Sequence, residues 1–558
     1  MNKKIIDVKY AGTFTAKKHQ SSNDTHYNID HLLPGYNFTD KHIIKLSPDK
    51  KVDWITSRIC DHANGTLEKC NKEHFAQCPL HGWELNLEEL HYSNVNVKKD
   101  ILDFKIKNNT IVIEEKDTYL QFPIELYKKQ SEEKLNIRFI AHACLLFTCG
   151  DINIMTDPWL KGPCFLNGWW HKPAPSDDAL DQLLKADLVY ISHNHPDHMH
   201  EESLRHLHSY RPDIPIIIPN FKSKSAELPL KNIGFTNVIP LAFNQIYKIN
   251  DSDIFISILK SGDFRDDSGL YLSYGKKQAL ITVDSSALNH FILPYNIDFL
   301  ATSFAAGASG HPWCFDHYDF DKKQEIMMNR HKSVMLSILK CIDVCQPKSY
   351  MPYAGYFSED APRDDYIKQH NKKNSSQDVQ KLIASKYPDV KYIDPITNDT
   401  ICINESISLS KSITKRLTHA EIDTIDLYLS QETIPSEEVF FSQLKKYFDQ
   451  SQFSDNLILY LIPCDDDFND FTNSLITNFN NPSESEIHTS KKIRNLYENS
   501  NSSQRHLLIQ VRAKSLWQVI EHHKSWEELS IGFHCRIHRK PDVYNSDFWY
   551  HFSNIYIK

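Results

Sequence analysis

The sequence predicts an α+β chain of several domains: a small antiparallel β domain near the N-terminus, an αββα sandwich in the middle and an α/β region at the C-terminus. Three observations carry this expectation. At 558 residues the chain is too long for one compact core, and three domains is a reasonable division. Between about 35 and 125 short β-rich runs alternate with turns. After a charged stretch at 128–134, which reads as a linker, strand runs separated by helical stretches begin at Leu135.

Residues 1–33 are polar and are expected to form an N-terminal extension. The first domain is placed at 34–127, from the runs at 41–46, 52–55, 103–107 and 110–114; the last two flank Asn108-Asn109, a pair suited to a two-residue hairpin turn. The middle domain is placed at 135–375. Its first strands are read at 137–140 and 143–147, then at 152–157, and Ala186-Asp187-Leu188-Val189-Tyr190-Ile191-Ser192 reads as a buried strand. The C-terminal region, 376–558, mixes helical patterns with Glu- and Ser-rich loops and carries no metal or nucleotide motif.

Hydrophobic residues make up 41% and charged residues 24%, the proportions of a soluble globular protein. A net charge of −9 without a long basic block argues against nucleic-acid binding through phosphate neutralisation. The first residues are basic but lead into no apolar segment, and no run of about 18 apolar residues occurs. A cytoplasmic protein with no membrane span is expected. Twelve cysteines are too sparse for a disulfide scaffold, and free thiols are expected at Cys144, Cys149 and Cys402.

Two metal-site signatures of unrelated kinds lie on the chain. Cys60 and His62 form a C-x-H step, fifteen residues intervene, and Cys78 and His81 form a C-x-x-H step inside Cys78-Pro79-Leu80-His81-Gly82-Trp83. This is the ligand set of a Rieske two-iron two-sulfur cluster, in which thiolates hold one iron and imidazoles the other. Replacing thiolate by neutral imidazole raises the reduction potential to roughly −150 to +300 mV. Zinc is the alternative ion for two Cys and two His. Zinc fingers, however, pair Cys with Cys and His with His, whereas each pair here mixes the two, and the second is followed by Gly82-Trp83, as in oxygenase-type Rieske loops.

The second signature is His193-Asn194-His195-Pro196-Asp197-His198, the H-x-H-x-D-H of the metallo-β-lactamase fold. A His-rich surface turn is the alternative in a chain with 29 His, but this loop follows a strand that reads as buried. Asp157, after the run ending at Thr156, is placed where this fold braces the histidine loop. Asp284, after Ala279-Leu280-Ile281-Thr282-Val283, is placed where it expects a bridging carboxylate. Both residue types also serve as turn or cap residues, and His142 is either close to the metal or a packed core histidine. Imidazole and carboxylate donors suit iron, manganese or zinc, so residue type does not choose the metal.

Several longer phrases carry a resemblance. They are Asp157-Pro158-Trp159-Leu160-Lys161-Gly162-Pro163, Asn167-Gly168-Trp169-Trp170, Phe304-Ala305-Ala306-Gly307-Ala308-Ser309-Gly310, Pro352-Tyr353-Ala354-Gly355-Tyr356-Phe357 and Trp526-Glu527-Glu528-Leu529-Ser530-Ile531-Gly532-Phe533. With the two motifs, they make the chain similar to the CMP-N-acetylneuraminate hydroxylase family over nearly its whole length and in the same order. The resemblance implies a cytoplasmic monooxygenase that converts the N-acetyl group of CMP-sialic acid to N-glycolyl. It also implies a b-type cytochrome and an NADH-dependent reductase as electron source, a role a ferredoxin could also fill. One departure stands out: where the fold commonly places a third metal histidine, Asp263 stands in Ser261-Gly262-Asp263-Phe264-Arg265-Asp266-Asp267.

The chemistry needs an oxygen-activating metal beside the cluster. The D-x-x-H-x-x-x-x-H step of the common Rieske oxygenases is absent, so by elimination the second motif is the candidate centre, with iron the expected metal. His193, His195, Asp197 and His198 are the expected ligands, joined by Asp284 and Asp263. No Gly-rich dinucleotide fingerprint is present, so electrons must come from an external carrier. For a substrate carrying phosphate, carboxylate and cytosine, Lys161, Arg363 and Lys368 are candidate anion contacts and His142, Trp169 and Trp170 candidate pocket residues. Surface charge and core packing explain those residue types equally well. Three other readings stay open: a monooxygenase of another amide-bearing nucleotide sugar or metabolite, a metal-dependent hydrolase with a regulatory Rieske domain, and an electron carrier without a catalytic metal.

Overall fold

The computed structural model describes residues 5–18, 24–61, 65–78, 82–93, 97–113, 118–127, 134–263, 265–285, 287–412, 422–501 and 504–554. Its centre is a pair of eight-stranded sheets. One runs in the order Val238–Leu241, Ile216–Pro219, Leu188–Tyr190, Ile152–Thr156, Cys144–Cys149, Leu135–Ala141, Thr400–Ile403, Ile407–Ser410. The other runs Val8–Thr13, Gln245–Ile249, Ile254–Lys260, Ser268–Tyr274, Lys277–Ile281, Phe299–Ser303, Ser349–Tyr353, Lys391–Tyr392.

Strand period sets how these sheets pack. In Ile254–Lys260 the residues Ile254, Ile256 and Ile258 join Ile137, Phe139 and Leu145 of the opposite sheet in one core, while Phe255 and Leu259 point the other way into a second core. That second core is closed by helices, chiefly Ile338, Cys341, Ile342 and Cys345 of Phe320–Cys345, an i, i+3, i+4, i+7 stripe. Asp319 caps this helix by accepting the Lys322 N–H at 2.8 Å. On the far side of the other sheet, Leu204 and Leu207 of helix Glu201–Tyr210 cover Val189, Ile216 and Ile218. The result is the expected αββα sandwich.

Before it, short strands form an antiparallel domain with three small sheets: Gly35–Phe38 with His42–Leu46 and Val52–Ser57, Glu68–Lys69 through His91–Tyr92, and Thr25–Asn28 with Thr110–Ile113 and Lys105–Lys107. The Asn108-Asn109 hairpin is present, with φ of 48° and 62°, the left-handed pair that a two-residue turn requires. After the sandwich comes a five-stranded sheet, ordered Glu486–Thr489, Asn473–Asn478, Leu457–Cys464, Arg505–Arg512, Cys535–Lys540, whose central pair is parallel. Helices Glu437–Gln450, Ala513–Glu521 and Ser546–Asn554 cover one face, and their core continues into the sandwich through Leu166, Trp313, Cys314 and Phe315.

Two expected boundaries are corrected. The stretch 1–33 is not an extension: Val8–Thr13 pairs with Gln245–Ile249 as an edge strand of the sandwich, and Thr15–Lys18 pairs with Thr118–Gln121. Edge strands are half solvated, which is why these read as polar. Leu120 and Phe122 belong to the sandwich core, so the N-terminal domain hangs from a two-stranded ribbon whose base is built into the sandwich. The middle domain also runs past 375, since helix Ser376–Lys386 packs on one sheet and Thr400–Ile403 extends the other. Most of the expected linker falls outside the described residues. None of the cysteines forms a disulfide, and among the described residues no helix is long and apolar enough to cross a membrane.

Removing residues 1–13 should therefore expose Gln245–Ile249 as a raw sheet edge. The unfolding midpoint of the sandwich in scanning calorimetry should fall by several degrees; an unchanged midpoint would mean that the first strand contributes nothing.

Candidate metal centre

The donors gather where strands of the sandwich end. Leu188–Tyr190 runs into the loop bearing His193, His195, Asp197 and His198, and the parallel strand Ile152–Thr156 ends at Asp157. Leu135–Ala141 and Ile152–Thr156 are both antiparallel to Cys144–Cys149, so His142 emerges at the same rim. From the opposite sheet, Lys277–Ile281 leads to Asp284. Three of these exits turn through left-handed backbone, at His142 (φ 40°), Asp157 (φ 36°) and Val283 (φ 52°). Such conformations are disfavoured, most of all for a β-branched valine, and are tolerated where the surroundings dictate them.

The side chains form two donor groups, His142 with Asp197 and His198, and His193 with His195 and Asp284; within each, one donor atom per residue lies within 4.8 Å of the others. His142 Nε2 is 3.1 Å and His198 Nε2 3.3 Å from Asp197 Oδ2. His193 Nε2 and His195 Nδ1 face each other at 2.9 Å, and Asp284 Oδ2 lies 3.5 Å from His198 Nε2, linking the groups. Asp157 braces the loop as expected: it accepts the Ser192 N–H at 2.8 Å and hydroxyl at 2.7 Å, and lies 2.9 Å from His198 Nδ1. His142 Nδ1, Asp197 Oδ1 and His198 Nε2 are buried without a hydrogen-bond partner among the described residues. Orphaned atoms of this kind are rare in a folded core, and the donor set fits a metal ion.

Charge in the site is polarised. Burial, reinforced by His198 and His195, holds His193 well below the usual imidazole range. Burial also opposes charge on His198, but Asp197 and Asp284 outweigh it and hold that ring protonated, well above the usual range. Asp197 is held well below the carboxylate range by His198 and His142, against the effect of its own burial.

Asp263 is corrected. It joins neither donor group; instead it accepts the Arg265 Nε–H at 2.9 Å, with Arg265 Nη2 at 2.8 Å. A nearby carboxylate that no sequence motif marks is Asp267, buried 3.5 Å from His193 Nδ1. Burial raises its carboxyl to about 7, with Arg265 opposing and Asp284 and Asp263 adding to the rise. The expected substrate contacts other than His142 also have structural employment. Lys161 pairs with Glu202 at 2.8 Å and Lys368 with Asp360 at 2.9 Å. Arg363 is buried against Glu432 at 2.6 Å and Asp466 at 3.1 Å. Trp169 stacks on Phe357 with centroids 3.5 Å apart, and buried Trp170 donates to Asn167 O at 3.2 Å.

In the N-terminal domain, the backbones of Cys60 and Cys78 are each bonded to a residue five positions on. Cys60 N–H donates to Gly65 O at 2.7 Å and Cys78 N–H to Trp83 O at 2.8 Å. Both side chains are fully buried in one cluster with Trp83 and Tyr92. The expected partners His62 and His81 lie outside the described residues.

Since a ligating imidazole must be deprotonated, a cation entering the sandwich site must displace the His198 proton. Metal uptake at neutral pH should release protons, seen in titration calorimetry as heats that depend on the buffer. Affinity should weaken with acid by about tenfold per pH unit for one displaced proton. Uptake indifferent to buffer and pH would remove His198 from the ligands.

A family model described as the Beta-lactamase superfamily domain matches residues 136–254, the segment containing the histidine loop. The Mus musculus protein called cytidine monophosphate-N-acetylneuraminic acid hydroxylase is 30% identical over 557 residues, 94% of each chain. A Homo sapiens relative, whose name marks it as inactive, is 31% identical over 77% of this chain and 88% of its own. Among solved structures, CmlA, a diiron beta-hydroxylase from Streptomyces venezuelae, is 16% identical over 50% of this chain and 55% of its own, with a TM-score of 0.34. Matched over 94% of its length at this identity, and with the histidine loop inside the matching domain, the chain belongs to the cytidine monophosphate-N-acetylneuraminic acid hydroxylase family.

Proposed function

We propose that the protein is a monooxygenase that hydroxylates the N-acetyl group of CMP-N-acetylneuraminate to N-glycolyl, using dioxygen and electrons delivered through a Rieske cluster. Because one relative is named as inactive, family membership alone does not carry this reading. The observation that supports it is the presence in one chain of the buried Cys60 and Cys78 thiols, packed in one cluster, together with the two His/Asp donor groups of the sandwich.

Cys60, His62, Cys78 and His81 would hold the cluster, and the two buried thiols suit it. His142, Asp197 and His198 would hold one metal ion, His193, His195 and Asp284 a second, with iron the expected metal. When bound, the cluster supplies electrons one at a time and the iron centre activates dioxygen. The chain's own residues prepare that site. Burial keeps His193 neutral, so its lone pair is available, and Asp157, 2.9 Å from His198 Nδ1, orients that ring so that Nε2 faces Asp197 and Asp284. Trp159, Phe165 and Phe357, packed together beside the donors, keep water from that side.

A phosphate and a carboxylate on the substrate need a cation that is not already neutralised. Arg330 forms no ion pair among the described residues; its one hydrogen bond goes to His311 O, and burial with neighbouring Arg265 pushes its guanidinium down to about 10. We assign it to the substrate's anionic groups, in place of Arg363 and the two lysines. The external donor would be a b-type cytochrome or a ferredoxin served by an NADH-dependent reductase, and the cytoplasm the place of action.

With substrate, labelled dioxygen and a reduced carrier, mass spectrometry should show one heavy oxygen in the N-glycolyl product, and His195→Ala should abolish it. Label from water, or turnover without reductant, would overturn the monooxygenase reading. Arg330→Gln should raise KM roughly tenfold or more at little cost in kcat, the loss of about one charge-assisted contact; an unchanged KM would free Arg330 from this role.

A further inference from the structure

We propose that Glu527 is a positioning residue of the metal centre, orienting the His195 ring from the C-terminal domain and making that domain a working part of the site. The inference rests on the reading of the histidine loop as a metal centre.

The two ring nitrogens of His195 point at different partners. Nδ1 faces His193 Nε2 at 2.9 Å, inside the donor group, whereas Nε2 faces Glu527 Oε2 at 3.4 Å. An imidazole that ligates through one nitrogen is held in tautomer and orientation by what its other nitrogen meets, and a carboxylate there also raises its basicity. The neighbouring histidines receive this support from the sandwich itself: His198 Nδ1 lies 2.9 Å from Asp157, and His193 Nδ1 2.9 Å from the Ser192 hydroxyl. His195 receives it from a residue 332 positions away, in a region with no metal motif.

A surface ion pair of this length would ordinarily be worth little, and the side chains of His195 and Glu527 are 25% and 38% exposed. What separates this pair from a chance contact is the clamp on the helix Glu527–Ile531. A Cβ on Gly168 would come within 2.6 Å of Gly532 Cα, one on Gly532 within 2.3 Å of Phe165 O, and one on Gly310 within 2.3 Å of Ser530 O. These backbones touch at three places where only glycine fits. Trp169 Nε1–H donates to Ile531 O at 3.0 Å, and the His534 ring donates to Phe165 O at 2.9 Å. Phe165 in turn lies against the His195 ring, with centroids 6.0 Å apart. The helix therefore has little freedom to slide, and the place of Glu527 is set by backbone packing.

The test is metal affinity of the full-length protein, measured with zinc(II) and iron(II) against a competing chelator. Glu527→Ala should weaken binding at the sandwich by about 10–100-fold. Glu527→Gln, which keeps an acceptor without the charge, should lose less. Both should keep the wild-type unfolding midpoint before metal is added, and the iron-sulfur absorption unchanged. Wild-type affinity in Glu527→Ala would overturn the proposal, as would an equal loss in both variants that tracks a lowered metal-free midpoint. A wild-type protein that takes up no metal at the sandwich would instead overturn the metal-centre reading, and the wild-type titration alone distinguishes that result.

Discussion

A single buried carboxylate organises the centre of this protein. Asp157 is fully enclosed and binds the backbone and hydroxyl of Ser192 and the ring of His198, the residues that bracket the histidine loop. In a low-dielectric interior such bonds are strong when made and expensive to lose. By holding both ends of the loop, Asp157 converts a flexible turn into a fixed array. It leaves the outward nitrogen of His198 no direction but toward Asp197 and Asp284. The left-handed backbone at Asp157 itself belongs to the same arrangement: the strand must stop abruptly for its next residue to face the loop.

The sandwich is also the anchor for both flanking domains, by different means. The C-terminal domain shares a continuous apolar core with it, reinforced by the buried pair of Arg512 and Asp364 at 2.7 Å. The N-terminal domain has its own two small cores and joins through the ribbon of Thr15–Lys18 and Thr118–Gln121. Topologically it is an insertion into the sandwich, entered and left through neighbouring strands, so the Cys60 and Cys78 segments and the rim that bears the His/Asp donors are parts of one architecture.

How far the sequence could be read follows from the range of each interaction. Local signals were legible. Period-2 runs located the central strands, and Asn108-Asn109 located a hairpin. The spacing of His193, His195, Asp197 and His198 located the donors, because six consecutive residues on one loop must share a neighbourhood. Long-range pairing was not legible: a half-solvated edge strand such as Val8–Thr13 has the polar composition of a tail, and only its partner 245–249 reveals it. Asp263 misled because its position invited a ligand while its partner, Arg265, sat two residues away. Arg363, Trp169 and Trp170 misled because the side chains that bind nucleotides are the same ones that fill interfaces. Glu527 gave no signal of its own beyond lying in a family-like phrase, since nothing at 527 indicates that the fold returns it to 195.

The position of the first strand bears on how the chain is made. Val8 pairs with Ile249 and Leu135 with Ile403, so the sandwich cannot close until most of the polypeptide has been synthesised. At about 5–20 residues per second, the inserted N-terminal domain has time to form on the ribosome while the strand before it waits without a partner. The short ribbon is completed much earlier, once Thr118–Gln121 emerges, and it holds the waiting strand beside the site where Gln245–Ile249 will arrive. A contact that is modest in the finished molecule thereby shortens a long loop that folding must close.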